Sequence, residues 1–166
     1  MDLYLVRHAI AERRDATRWP DDSLRPLTPD GSERFRRAAR GLSRIAPAVD
    51  VVLASPYVRA WQTGELLREE AGWPEPERCP ALAAVGTQAA VEALRHRAEH
   101  ASVALVGHEP NLSSLASFFL AGDENAVPLE LKKGGVARLT FSGRPGPRSA
   151  LLRWSVSPKI LRSLAS

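Results

Sequence analysis

The sequence predicts an α/β fold built on a mostly parallel sheet, because one arrangement occurs three times along the chain. Each time an apolar run ends in polar residues and a helix start follows. Leu3-Tyr4-Leu5-Val6 closes on Arg7-His8, Val51-Val52-Leu53-Ala54 on Ser55-Pro56, and Val103-Ala104-Leu105-Val106 on Gly107-His108. Short, continuously apolar runs mark strands buried on both faces, as in a sheet covered by helices. In such sheets ligands lie beyond the carboxyl ends of the strands. All three runs place their polar residues there.

After the first run comes a long loop, then Leu27-Thr28-Pro29-Asp30-Gly31. Thr28 suits an N-cap and Pro29 the first helical position, so a helix is predicted from there to about Ile45. After the second run, Ser55 is read as the cap and Pro56 as the start of a helix reaching roughly Glu70. After the third, Pro110 is read as opening a helix to about Leu120. Residues 87–98 read as a further helix. Residues 136–141 and 150–156 read as strands, and Gly143-Arg144-Pro145-Gly146-Pro147 between them suits the turn of an antiparallel hairpin.

The chain has 166 residues, 44% of them hydrophobic and 25% charged. Those values suit one compact domain over residues 1–166 and argue against disorder. No repeat, low-complexity tract or linker divides it. No apolar run approaches the length of a membrane span, so no membrane partner is expected. The N-terminal residues have no basic segment or small-residue cleavage site, and Cys79 is the only cysteine. A reducing, cytoplasmic location is therefore expected. The net charge of +4 comes largely from arginine. The basic residues are spread along the chain, which favours a solvated arginine surface over a nucleic-acid footprint. The densest group, Arg34, Arg36, Arg37, Arg40 and Arg44, wraps too widely around its predicted helix to form one binding stripe.

The three strand ends bring together Arg7 and His8, Arg59 on the first turn of the second helix, and His108. Guanidinium groups grip phosphate oxygens with a planar fork of donors and keep their charge. Helix N-termini add backbone N–H groups aimed at an anion. A neutral imidazole is a competent nucleophile, and its phosphorylated form can be attacked by water. The arginines also disfavour imidazolium, which keeps His8 neutral near pH 7.

Arg7-His8-Ala9 resembles the RHG motif of the histidine phosphatase superfamily, the phosphoglycerate-mutase-like fold. The likeness extends to Arg25-Pro26-Leu27-Thr28 with Gly31, to residues 55–63 (Ser-Pro-Tyr-Val-Arg-Ala-Trp-Gln-Thr), and to Gly107-His108-Glu109-Pro110. A short chain with these motifs and no long insertion is most similar to the SixA-type phosphohistidine phosphatases. The resemblance implies a three-layer α/β/α architecture and His8 as the phosphorylated nucleophile. It implies Arg7, Arg59 and His108 around the phosphoryl oxygens. Arg25 is a further candidate for substrate binding, and the alternative for it is a pair with a surface acid. The resemblance implies no metal or organic cofactor.

Two positions depart from the superfamily pattern. Ala9 replaces a usual glycine, a minor change. Many relatives place a glutamate after the second motif as general acid, whereas Pro80-Ala81-Leu82-Ala83-Ala84-Val85-Gly86 contains no carboxylate. A positioned acid is worth about 10²–10⁴-fold for an alkoxide leaving group. A nitrogen leaving group needs less help, so the missing acid tilts the expectation towards phosphohistidine in a protein. Glu109, Glu12, Asp21 and Asp22 could supply a proton from elsewhere. The lack of insertions predicts an open pocket without a lid. The alternatives are a phosphatase for small phosphate esters and a non-catalytic module that binds phosphorylated partners. An intact His8 argues against the second of these.

Other residues carry blander readings. His96 and His100 have metal-binding spacing on a predicted helix, but the first lacks the glutamate of a zinc-protease motif. Trp61, Trp73 and Trp154 read as packing, and Trp19 as a residue that could line the pocket. Cys79 reads as a buried, inert thiol.

Overall fold

The computed structural model describes all 166 residues. Four strands run parallel: β1 (Asp2–Arg7), β2 (Val51–Ala54), β3 (Glu77–Arg78) and β4 (Ser102–Gly107). β5 (Val136–Phe141) joins antiparallel to β1, and β6 (Ala150–Val156) antiparallel to β5. The six-stranded sheet has the order β3-β2-β4-β1-β5-β6. The three apolar runs are its adjacent central strands, as the sequence predicts, and β5 and β6 form the expected hairpin.

Alternation along each strand divides the interior into two layers. Tyr4, Val6, Val52, Ala104 and Val106 pack on one face against Phe35, Leu42, Leu67 and Leu161. These come from helices α1 (Pro29–Leu42), α2 (Val58–Ala71) and α5 (Pro158–Leu164). Leu3, Leu5, Leu53, Val103 and Leu105 pack on the other face against Val91, Leu94, Leu112 and Phe119. These belong to α3 (Gln88–Arg95) and α4 (Asn111–Ala121). The result is the three-layer α/β/α architecture.

The start of α1 follows the sequence reading. The Thr28 hydroxyl accepts the Gly31 N–H at 2.9 Å, with Pro29 in the first turn. Gly31 is required by close approach, since a Cβ there would lie 2.2 Å from the Ile10 carbonyl oxygen. Other boundaries differ. α1 stops at Leu42, so Arg44 lies beyond it. α2 begins at Val58 with Tyr57 in the cap position and no side-chain cap, so Ser55 does not serve there. Pro110 occupies the cap position of α4, and Glu109 accepts the Ser113 N–H at 3.1 Å. α3 ends at Arg95, so His96 and His100 do not share a helix face. The two-residue β3 and the short α5 gave too little periodic signal to be read.

Three of the four arginines of α1 are neutralised locally. Arg34 pairs with Asp30 at 2.8 Å, and Arg36 and Arg40 both reach Glu70 at 2.7 Å. Trp73 is buried and Trp61 lies under the Arg78 guanidinium. Cys79 is buried, and burial pushes its thiol pKa up, away from the reactive thiolate. No helix is long and apolar enough to cross a membrane.

Candidate active site

His8 directly follows β1, and its backbone N–H donates to the Gly107 carbonyl at the end of β4. The imidazole Nδ1 lies 2.7 Å from the Ala9 carbonyl oxygen. A carbonyl can only accept, so Nδ1 carries the proton and Nε2 holds the lone pair. The side chain is buried, and burial is the main reason its pKa falls to about 3. The His108, Arg59 and Arg7 charges push the same way, while the Ala9 carbonyl opposes them. The ring is therefore neutral at physiological pH, with Nε2 its basic nitrogen.

His108 follows β4, its ring centre 5.3 Å from that of His8. Its Nε2 is 2.8 Å from the Ser55 hydroxyl. Ser55 is fully buried, and its oxygen accepts the Tyr57 N–H at 3.4 Å. Where Nε2 accepts the hydroxyl proton, the His108 proton lies on Nδ1. Burial first, then Arg59, lowers the His108 pKa to about 4. Ser55 thus meets the His108 ring where the sequence suggested a helix cap.

Arg59 stands in the first turn of α2 and is 5% exposed. Its Nη1 and Nη2 donate to the carbonyl and carboxylate of Asp22 at 2.8 and 3.0 Å. Thr63, one turn on, donates its hydroxyl to the Arg59 carbonyl and accepts the Ala9 N–H. That buried hydroxyl ties α2 to the chain beyond β1. Arg7 donates to the Leu131 carbonyl at 2.6 Å. Arg25 donates Nε to Asp22 and Nη1 to the Glu12 carbonyl, so it both pairs with an acid and lines the cleft. Arg7 Nε, Arg59 Nε and His108 Nδ1 are enclosed and have no protein partner.

These side chains meet in an open cleft of about 410 Å³. Four site residues named from sequence, Arg7, His8, Arg59 and His108, come together there with Arg25. The candidate proton donors fare differently. Both Glu109 oxygens are engaged, by the Ser113 hydroxyl and N–H and by the Leu131 N–H. Asp22 is held below the usual carboxylate range, first by its hydrogen bond from Arg25 and also by the Arg59 and Arg14 charges. Asp21 caps a short 3₁₀ turn through Ser23. Glu12 lines the cleft and its carboxylate faces Arg18 at 3.5 Å. Trp19 is half-buried beside Arg18 and is not among the residues lining the cleft.

Sequence reasoning missed Lys133, which also lines this cleft. β5 runs antiparallel to β1 with Val136 opposite Val6, so the residues before β5 arrive where β1 ends. The Gly134-Gly135 pair ahead of a predicted strand was the available signal, but nothing local said which strand β5 would join.

The family model for the histidine phosphatase superfamily, branch 1, matches residues 3–86. An uncharacterized protein of Picosynechococcus sp. is 35% identical over 142 residues, covering 84% of each chain. The chain belongs to the histidine phosphatase superfamily. The phosphohistidine phosphatase SixA of Escherichia coli is 27% identical over 162 residues, covering 95% of this chain and 94% of that protein. The solved structure of the protein histidine phosphatase SixA complexed with tungstate superposes with a TM-score of 0.78 at 26% identity, over 97% of this chain and 99% of that one. The fold is shared more widely. The α-ribazole phosphatase of Shigella flexneri matches with a TM-score of 0.64 at 19% identity, over 95% of this chain and 97% of that one.

Proposed function

We propose that this phosphatase removes a phosphoryl group from phosphohistidine in a protein, through a phosphohistidine intermediate on His8. The observation that carries the reading is the set of unpartnered nitrogens, Arg7 Nε, Arg59 Nε and His108 Nδ1, on residues that line one cleft with a neutral imidazole whose basic nitrogen is Nε2. His8 Nε2 attacks phosphorus as the bond to the substrate nitrogen breaks, and the departing imidazole takes a proton from solvent. Water then attacks the phosphorylated His8, and inorganic phosphate leaves with Nε2 free again. Arg7, Arg59 and His108 hold the equatorial oxygens, whose charge they stabilise in both steps. Arg25 braces this set through Asp22.

The leaving group decides between a phosphoprotein and a small ester. Glu109 and Asp22 are engaged, and Glu12, the other carboxylate lining the cleft, faces Arg18 at 3.5 Å, so none stands in the position of the missing acid after the second motif. A phosphorylated imidazole departs without one, and an alkoxide does not. The open cleft also admits a side chain presented on a protein surface.

The test follows phosphate release from a histidine-phosphorylated phosphotransfer protein and, separately, from an aryl phosphate ester, with His8→Ala as control. Release from the phosphoprotein that is lost in His8→Ala is the expected result. Activity on the ester alone would move the substrate to small phosphate esters. Tight retention of the phosphoprotein without release would make the domain a binding module.

A further inference from the structure

We infer that Lys133 forms a second anion subsite beside the phosphoryl pocket, so that the preferred substrate carries another negative group, a carboxylate or phosphate, next to the phosphoryl group it gives up. The inference rests on the phosphohydrolase reading and extends it to the class of substrate.

The position of Lys133 is built into the site. Leu131 donates its N–H to Glu109 and accepts from Arg7 through its carbonyl. Three residues on, the Gly134 N–H reaches the carbonyls of both Arg7 and His8 at 3.1 Å. The intervening turn is tight. Gly134 has φ +79°, and a Cβ on Gly135 would lie 2.9 Å from the Lys132 carbonyl oxygen. Lys133 is thus carried between two anchors on the catalytic strand end.

Charge balance and this anchoring together point to it. Among the cleft arginines that are not exposed, Arg7, Arg25 and Arg59 against Asp22 leave two positive charges, while Arg13 and Arg14 line the cleft from an exposed loop, Arg14 at 3.6 Å from Asp22. That surplus matches a phosphoryl dianion. Beyond Arg7, Arg25 and Arg59, the cleft cations that make no ion pair are Lys133 and Arg13, and of the two Lys133 is the one carried on the anchored turn; its neighbour Lys132 faces Glu130 at 3.4 Å. Burial first, then Arg7, Arg25 and Arg59, depress the Lys133 pKa. Glu109 and Glu12, the acids lining the cleft, are turned to Leu131 and Ser113 and to Arg18. A cation held against other cations is relieved by a second anion on the bound molecule.

Methylphosphonate and methylenediphosphonate, which the enzyme cannot hydrolyse, are titrated calorimetrically into wild type, Lys133→Met and Lys133→Arg. The diphosphonate is expected to bind wild type about tenfold more tightly than the monophosphonate. That ratio should fall to about twofold in Lys133→Met and largely persist in Lys133→Arg, which keeps the charge. Equal affinities in wild type, or a ratio that survives in Lys133→Met, overturn the subsite. The source of the second anion is read from turnover. One comparison is the phosphohistidine protein with and without acidic neighbours of its phosphorylated residue, and the other is phosphoglycolate against ethyl phosphate. Preference for the anionic member of either pair, lost in Lys133→Met, supports the subsite and names its source. No preference in both pairs overturns it. Phosphate release that persists in His8→Ala would instead overturn the phosphohydrolase reading, whatever the phosphonate ratio.

Discussion

The floor of the cleft and its walls are assembled differently. Arg7, His8 and His108 sit where adjacent parallel strands end, and Arg59 opens a helix, so each position follows from its own strand or helix start. The walls come from irregular chain, the 3₁₀ turn at Asp22–Leu24 and the turn between Leu131 and Gly135, each held by contacts from residues distant in sequence. The floor has the parts for phosphoryl transfer to and from an imidazole. The walls set the charge around it. Floor substitutions should therefore abolish chemistry, and wall substitutions should change its balance.

The largest effect is expected at His8. His8→Ala should lower kcat/KM by about 10⁴-fold or more and eliminate the acid-labile phosphoenzyme, read by rapid-quench trapping of labelled phosphate. Next, Arg59→Ala removes a cation and a buried donor from the transition state. It should lower kcat by about 10²–10³-fold, a figure typical of losing one such donor, measured at saturating substrate. If it raised only KM, the floor would be a binding surface alone.

The walls predict smaller changes. Ala81 lies on a 3₁₀ turn and borders, with His108, a small apolar cavity. Ala81→Glu should raise turnover of alkyl phosphate esters by about 10²-fold while phosphohistidine turnover changes little, because only the alkoxide needs a proton. Unchanged ester turnover would refute the account of the missing acid. Asp22→Asn frees Arg59 from a competing carboxylate and loosens its placement. Inorganic phosphate should then inhibit several-fold more strongly while kcat falls by up to about tenfold. No change in either would make the wall inert.

The smallest effect separates floor from walls by pH. His8 and His108 have folded-state pKa values of about 3 and 4, below the ordinary 6.5. The unfolded chain therefore binds more protons in this range. Their stabilisation is complete above the unfolded value and is lost as pH falls through it towards 4 and then 3. The loss should approach about 1.4 kcal/mol per pH unit for each histidine, seen in urea midpoints between pH 7 and 5. The stabilisation from the wall carboxylate Asp22, with its lowered pKa, is fully present above the ordinary carboxylate range and is lost only as pH falls below it, so it does not change between pH 7 and 5. An equal slope in the His8→Asn, His108→Asn double variant would refute this assignment.

Legibility followed the same division. Leu3-Tyr4-Leu5-Val6 and its two counterparts could be read because a strand buried on both faces needs an uninterrupted apolar run, and polar residues at its end stand out. Thr28-Pro29 was legible because a cap acts over three residues. Ser55 was misread because the same local pattern suits a helix cap, and only the arrival of His108 on the neighbouring strand gives its hydroxyl another partner. Lys133 was missed because the register of β5 on β1 joins residues far apart in the chain. Glu109 and Asp22 were legible as carboxylates but not as clamps, since their partners come from separate turns.

The sequence by itself thus determined the central strands, the hairpin, the start of α1 and the four residues on the floor. Each rests on a period or a cap that acts within a few residues. Tertiary structure alone decided which nitrogen of His8 carries its proton, which acids are already engaged, and which lysine faces the cleft. Those depend on burial and on hydrogen-bond partners that the chain meets only once the sheet has formed.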